Sequence, residues 1–183
     1  MKKQFKIYLA GPDVFRTKEQ VKEVTAFLKE TCKKYGYTGN FPLDTELVPE
    51  DGNYGSQQFS FLIFRNNIRL IEESDVVIAN LENFRGPNTD DGTAFELGYG
   101  FALKKILYGY SPTAQKSYTR HYKTFSENVS PSYKTEMEKA FPEVENFEGN
   151  TANLMLVGAI HDAGGKIFNT FEECVKDLAE RFA

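Results

Sequence analysis

The chain has 183 residues, 40% of them hydrophobic and 26% charged, which suits one globular domain with enough chain to bury a real core. Its net charge of −4 leaves no broad basic face for a phosphate backbone, which argues against nucleic acid as a partner. No apolar run approaches the ~18 residues that a bilayer span requires, so a membrane is not an expected partner either.

The N-terminal MKKQFKIYLAG carries lysines and then an apolar run. That run is too short for a signal sequence and has no small-x-small cleavage site, so it reads as a first strand over residues 5–10 of a cytoplasmic protein. It ends in Gly11-Pro12. Residues 18–34 read as an amphipathic helix, with Val21, Val24, Phe27 and Leu28 at helical spacing and Tyr35-Gly36 as its stop. Residues 37–43 read as a second strand ending in FPLD, and 44–55 as an acidic, turn-rich loop. Residues 57–73 are helical, with Phe61, Phe64, Ile68 and Ile71 on one stripe. A third strand is expected over 75–81, a helix over 90–104 and a fourth strand over 106–110. Residues 111–150 mix aromatic and polar side chains with little periodicity, which predicts a long inserted loop holding a short helix near 133–140. An apolar helix over 153–160, a short strand over 166–168 and a closing helix over 170–182 complete the chain. Thr170 and Glu173 have the spacing of a capping box. Cys32 and Cys174 each fall in an amphipathic helical segment with no CxxC spacing, which predicts two reduced, half-buried thiols.

Strands alternate with helices throughout. This predicts an α/β fold over residues 1–183, a parallel sheet of about five strands with helices on both faces. Ligands of such sheets collect at the carboxyl ends of the strands. Those ends carry Gly11-Pro12-Asp13, Leu43-Asp44, Leu81-Glu82-Asn83 and Tyr110-Ser111.

The stretch NTDDGTAFELGYG at 88–100 is the most informative part of the chain. Glu96 stands there among apolar and small residues, which is unusual for a surface helix. A carboxylate so placed suits nucleophilic attack on an anomeric carbon, giving a glycosyl ester and splitting one displacement into two. The alternative is a helix charge paired within the fold. Asp90 and Asp91 sit at the helix start, where they cap free backbone N–H groups or hold sugar hydroxyls. Asp75 opens the third strand and reads either as a turn residue or as an acid that exchanges a proton with a leaving base. Tyr8 is either packed or hydrogen-bonded to the nucleophile. Gly11-Pro12 admits a close backbone approach, but it lacks the glycines of GxGxxG and the lysine of a P-loop. His121 and His161 have no ligand-like spacing, so neither a metal nor a cofactor is expected. No GxSxG is present.

The chain resembles the nucleoside 2-deoxyribosyltransferase family. The matching pieces are KIYLAGPDVF at 6–15, FPLD at 41–44, SDVVIANL at 74–81, DDGTAFELGYG at 90–100 and NLM at 153–155. The fourth is the specific one. The resemblance implies a flavodoxin-like fold and ping-pong transfer of 2-deoxyribose between purine or pyrimidine bases through a covalent deoxyribosyl-glutamate. It implies Glu96 as nucleophile, Asp75 as the acid near the base, Tyr8 as the group orienting the nucleophile, and Asp90 as a sugar ligand. Asp91, Gly11, Phe15 and Asp44 are further expected substrate contacts, with Phe15 and Phe95 excluding water. Asn153 and Met155 match a pair that reaches into a neighbouring subunit's site, which implies a dimer-based homo-oligomer, up to a hexamer, acting on deoxynucleosides and free bases. Two rivals stand beside this reading. One is a hydrolase of deoxynucleoside 5′-monophosphates, which Asp13 in the first turn disfavours by repelling phosphate. The other is a non-catalytic nucleotide-sensing module on the same fold.

Overall fold

Short, mostly apolar runs at 6–10, 76–80 and 106–110 form the three long parallel strands at the centre of the fold. The computed structural model describes residues 4–114, 118–128, 139–140, 142–143 and 145–183. In chain order the elements are β1 (Lys6–Ala10), a 3-10 turn (Pro12–Phe15), α1 (Lys18–Lys34), β2 (Thr38–Asn40), α2 (Gln57–Glu72) and β3 (Val76–Asn80). There follow α3 (Asp91–Ala102), β4 (Ile106–Tyr110), α4 (Tyr118–Asn128), α5 (Leu154–Asp162), β5 (Ile167–Phe168) and α6 (Phe171–Arg181). The sheet order is β2-β1-β3-β4-β5 and every pairing is parallel. This is the flavodoxin-like arrangement, in which chain order reverses between β1 and β3 and opens a crevice at their carboxyl ends.

The two faces of the sheet carry separate cores. On one, Ile7, Leu9, Val76 and Ile78 pack against Leu28 and Cys32 of α1 and Cys174, Val175 and Leu178 of α6. On the other, Tyr8, Val77, Ala79 and Leu107 pack against Leu70 and Ile71 of α2, Leu97 of α3 and Ile160 of α5. Alternation along each strand sends successive residues to opposite faces, so Tyr8 faces α2 and α3 while its neighbours face α1 and α6. The central strand, residues 76–80, is buried throughout, as a parallel strand covered on both faces must be.

The element boundaries agree with the sequence expectations to within a few residues, and the Thr170–Glu173 capping box is present. Both cysteines are free and fully buried rather than half-buried. The region from 111 to 150 differs more. It contains an eleven-residue helix, α4, where a loop is expected. Tyr118, Tyr122 and Phe125 do recur at i, i+4 and i+7, but polar residues between them mask the period. The short helix expected near 133–140 lies mostly outside the described residues. Among the described residues no helix is long and apolar enough to cross a membrane.

Candidate active site

Helix α3 is held unusually close to the sheet. A Cβ on Gly100 would stand 3.0 Å from Val77 Cγ2 and 3.1 Å from Leu107 Cδ2, so only glycine lets the helix settle at this depth. Glu96 lies one turn earlier on the same helical face. It therefore comes down onto β1, where Tyr8 Oη donates to Glu96 Oε1 at 2.5 Å. Asp90 forms the N-cap, its Oδ2 accepting from the Thr93 backbone N at 2.9 Å and from Thr93 Oγ1 at 3.0 Å.

The electrostatics follow from this placement. Burial pushes the Glu96 carboxyl up to about 7; the Tyr8 hydrogen bond opposes that rise and the Asp90 charge adds to it. Tyr8 is fully buried. Burial first, and then the adjacent Glu96 charge and hydrogen bond, hold its phenol far above the ordinary value. Tyr8 is thus a fixed, protonated donor aimed at one carboxylate oxygen. Glu96 is near half-ionised at neutral pH.

Glu96 lines a cavity of about 330 Å³ between α2 and α3, with Phe64, Asn67, Ile68 and Ile71 from α2 and Gly92 and Phe95 from α3. The four α2 residues stand at i, i+3, i+4 and i+7, one continuous stripe. Three are apolar. The fourth, Asn67, has a buried Oδ1 with no hydrogen-bond partner. The sequence signal for Asn67 is its position, a polar residue interrupting an otherwise apolar helical stripe.

A second cavity, of about 530 Å³, opens between the starts of α3 and α5. Asp91, Ala94, Asn153 and Met155 are among its lining residues. Asn153 caps α5, accepting from Met155 N at 3.0 Å, and donates to Glu145 Oε1 at 2.6 Å. Met155 is 71% exposed. At the carboxyl edge of β1, Gly11 has φ 154°, and a Cβ there would lie 2.7 Å from Asn80 Cβ. The backbone approach that this glycine permits is thus to β3. Next to it a polar knot ties β1 to β3. Asp13 accepts from Arg16 Nε at 2.7 Å and from Asn80 Nδ2 at 3.0 Å. Arg16 also reaches Glu82 at 3.2 Å. Phe15 stacks on Phe84 at 5.1 Å, with the Arg85 guanidinium over both rings.

The profile of nucleoside 2-deoxyribosyltransferases matches residues 7–169. The chain belongs to the nucleoside 2-deoxyribosyltransferase family. A 2-desoxiribosyltransferase from Leishmania mexicana superimposes with a TM-score of 0.66 at 28% identity, covering 98% of this chain and 99% of that one. A 2-deoxyribosyltransferase from Bacillus psychrosaccharolyticus shares the fold, with a TM-score of 0.54 at 23% identity over 92% and 88% of the two chains. An uncharacterised protein of Schizosaccharomyces pombe is 32% identical over 96% of this chain and 89% of its own length.

Within this deoxyribosyltransferase fold the expected site residues do not all converge. Tyr8, Glu96 and Asp90 come together. Asp75 does not join them. It precedes β3 at the amino edge of the sheet, and its Oδ2 accepts from Lys6 N at 3.0 Å. Its carboxylate is spent closing the β1–β3 edge, and Asp75 does not line the Glu96 cavity. Asp44 also serves the backbone. Its Oδ2 accepts from Phe41 N at 2.9 Å and its Oδ1 from Lys29 Nζ at 2.5 Å, so it closes the FPLD turn. Gly11 and Phe15 stand at the carboxyl edge, outside the cavity walls. Asp91, Asn153 and Met155 line the other cavity, across α3 from Glu96. Asp13 is 3% exposed and ion-paired, so it does not present a bare charge to the edge. The expectation that it repels phosphate assumed an exposed carboxylate.

Proposed function

We propose that the protein transfers 2-deoxyribose between nucleobases by a ping-pong mechanism with Glu96 as nucleophile. The observation that carries this reading is the Glu96 carboxylate in a mostly apolar cavity, steadied by Tyr8 at 2.5 Å. In the first half-reaction the C1′–N bond breaks as a C1′–Oε ester forms, and the glycosidic electron pair leaves with the base. The sugar carries oxocarbenium character on the way, and an adjacent carboxylate stabilises that charge before bonding to it. In the second half-reaction a new base attacks C1′ and releases Glu96.

Tyr8 occupies one oxygen of Glu96 and so selects the other for attack. Asp90 uses Oδ2 for its cap, which leaves Oδ1 to accept from a sugar hydroxyl. Deoxyribose is preferred because a 2′-hydroxyl beside the nucleophile would need space and a partner. Transfer outruns hydrolysis when the cavity stays dry during base exchange. We assign no proton-transfer step to Asp75.

Asn153 and Met155 act in a neighbouring subunit. Met155 is exposed and lies across α3 from its own Glu96, which favours a role at a site outside its own chain. Phe64 and Phe95 pair at 6.1 Å with about half of each ring exposed. A second copy seated here would cover this apolar mouth and complete the cavity, giving a homo-oligomer with shared sites.

The test is direct. Incubation with thymidine or deoxyinosine plus free adenine yields deoxyadenosine, and Glu96→Ala lowers the rate by at least ~10³-fold. Undiminished exchange in that variant refutes the reading. Release of base from a deoxynucleoside 5′-monophosphate without exchange identifies the hydrolase instead.

A further inference from the structure

A glycine inside a helix weakens it, so its presence needs a reason. Helix α3 contains Gly92, Gly98 and Gly100. Gly92, Glu96 and Gly100 stand four residues apart and share one face of the helix. At Gly100 the sheet supplies the reason, since Val77 and Leu107 occupy the space that a side chain would need. Gly92 has no such reason within the fold. Its φ is not positive, so no left-handed conformation demands glycine. A Cβ there would meet Asp90 Oδ2 at 3.1 Å. Beyond its chain neighbours and the helix backbone, no other atom of the described residues lies within 4 Å of that point. Yet Gly92 lines the Glu96 cavity. We propose that the bare backbone at Gly92 is the seat of the transferred pentose, which makes Gly92 a specificity-determining residue for the sugar.

This inference rests on the transferase reading above and deepens it by placing the sugar ring. Gly92 and Glu96 are about 6 Å apart along the helix axis, and Asp90 caps the helix just beyond Gly92. A 2-deoxyribose with C1′ at Glu96 and a hydroxyl at Asp90 Oδ1 must therefore cross the helix at Gly92. A methyl group on residue 92 would lie under the ring and lift it from the nucleophile. Neither carboxylate is free to follow. Asp90 Oδ2 is held by Thr93 N at 2.9 Å and by Thr93 Oγ1 at 3.0 Å, and Glu96 is held on β1 by Tyr8. The reacting atoms are thus fixed from one side, and a misplacement of about 1 Å can cost about 10²-fold in rate. The same face of α3 is used twice. The sheet fills the place of one missing side chain and the substrate fills the place of the other.

The experiment measures deoxyribosyl exchange from thymidine to adenine in the wild type, in Gly92→Ala and in Gly98→Ala. A Cβ on Gly98 meets nothing within 4 Å, so that variant carries the same added methyl and the same gain in helix propensity without entering the cavity. Exchange, as kcat/KM, should fall by about 10–100-fold in Gly92→Ala and stay within about threefold of the wild type in Gly98→Ala. The Tm of Gly92→Ala should stay within about 4 °C of the wild type, which separates a filled seat from a damaged fold. The pH profile separates it from a disturbed cap. The Asp90 charge raises the Glu96 carboxyl, so a displaced Asp90 would move the rising limb to lower pH. A blocked seat lowers the rate equally at every pH and leaves the limb in place. Undiminished exchange in Gly92→Ala, an equal loss in Gly98→Ala, a larger fall in Tm or a limb moved to lower pH each overturns the proposal while leaving deoxyribosyl transfer intact. Failure of the wild type to exchange any base, with no adduct on Glu96, overturns the transferase reading instead. In that event calorimetric binding of thymidine decides Gly92 alone. Binding weakened at least tenfold in Gly92→Ala supports the seat, and equal binding in the two proteins, or none in the wild type, refutes it.

Discussion

Replacing Tyr8 with phenylalanine removes one oxygen and, with it, the one influence that holds the Glu96 carboxyl down. Burial pushes Glu96 up to about 7 and the Asp90 charge pushes the same way, while the Tyr8 hydrogen bond alone opposes them. The ring of Phe fills the same space, so packing beneath the sheet is preserved. A hydrogen bond to a charged group contributes about 1.5–3 kcal/mol. At 1.36 kcal/mol per pH unit, its loss moves the ionisation of Glu96 to higher pH by about 1–2 units. At pH 7 the ionised fraction then falls from about one half to between roughly one tenth and one hundredth, lowering exchange by about 5–50-fold. The assay is kcat/KM for adenine exchange across pH 5–10. Tyr8→Phe should show its rising limb displaced to alkaline pH and should approach the wild-type rate near pH 9. A limb at the wild-type position, or a loss equal at every pH, would refute the claim that Tyr8 acts through the ionisation of Glu96.

Asp90→Asn keeps a good N-cap and removes the charge that raises Glu96, so its rising limb should move to lower pH; a limb that stays or moves the other way contradicts the electrostatic account. Glu96→Gln tests the same group through stability. The folded carboxyl at about 7 stands above its ordinary 4.5, so the stability it contributes is full below 4.5 and is lost as pH rises to about 7. The wild type should lose up to about 3 kcal/mol relative to Glu96→Gln between pH 4.5 and pH 8 in urea unfolding, and parallel stability curves for the two proteins would disprove the cost of ionisation. Asp75→Asn should retain kcat/KM to within about threefold, because its carboxylate accepts from the Lys6 backbone and an asparagine oxygen can accept the same bond. A drop of about 100-fold or more would return Asp75 to the chemistry.

The fold is legible in the sequence because its signals are local. Residues 76–79 are apolar on both faces and three of them are β-branched, as a covered parallel strand requires. Asp90, Asn153 and Thr170 each precede a helix as a capping side chain. Glu96 is legible for the opposite reason, since a carboxylate among small and apolar residues conflicts with its surroundings. Asp75 misleads because its chemistry is suggestive, although its place at the opening of the third strand already sets it at the end of a parallel sheet away from the ligand edge. There its carboxylate accepts from the Lys6 backbone. Gly92 escapes notice because its importance is relational. A glycine on α3 matters only when its place is known to meet the Glu96 cavity rather than the sheet. Helix α4 is masked because its aromatic period is diluted by charged and hydroxyl residues.

The position of Glu96 along α3 explains why its ionisation is so finely balanced. A carboxylate in the first turn of a helix gains from free N–H groups and from the positive end of the dipole. Here Asp90 and Asp91 take those places, and Glu96 falls beyond the first turn, where the backbone N–H groups are already bonded. Gly100 then lets the helix press Glu96 against the sheet, away from water. Among the described residues, what remains to stabilise the anion is a single phenolic donor. On the proposed mechanism this poverty is functional. An anion weakly satisfied in the empty site gains most from the positive charge that develops at C1′, so the interaction is strongest in the transition state and weakest before it. Adding a second donor to the same carboxylate, as Phe95→Lys or Ile68→Lys would attempt, should therefore lower the Glu96 pKa and slow transfer together, although the nucleophile is then fully ionised at pH 7.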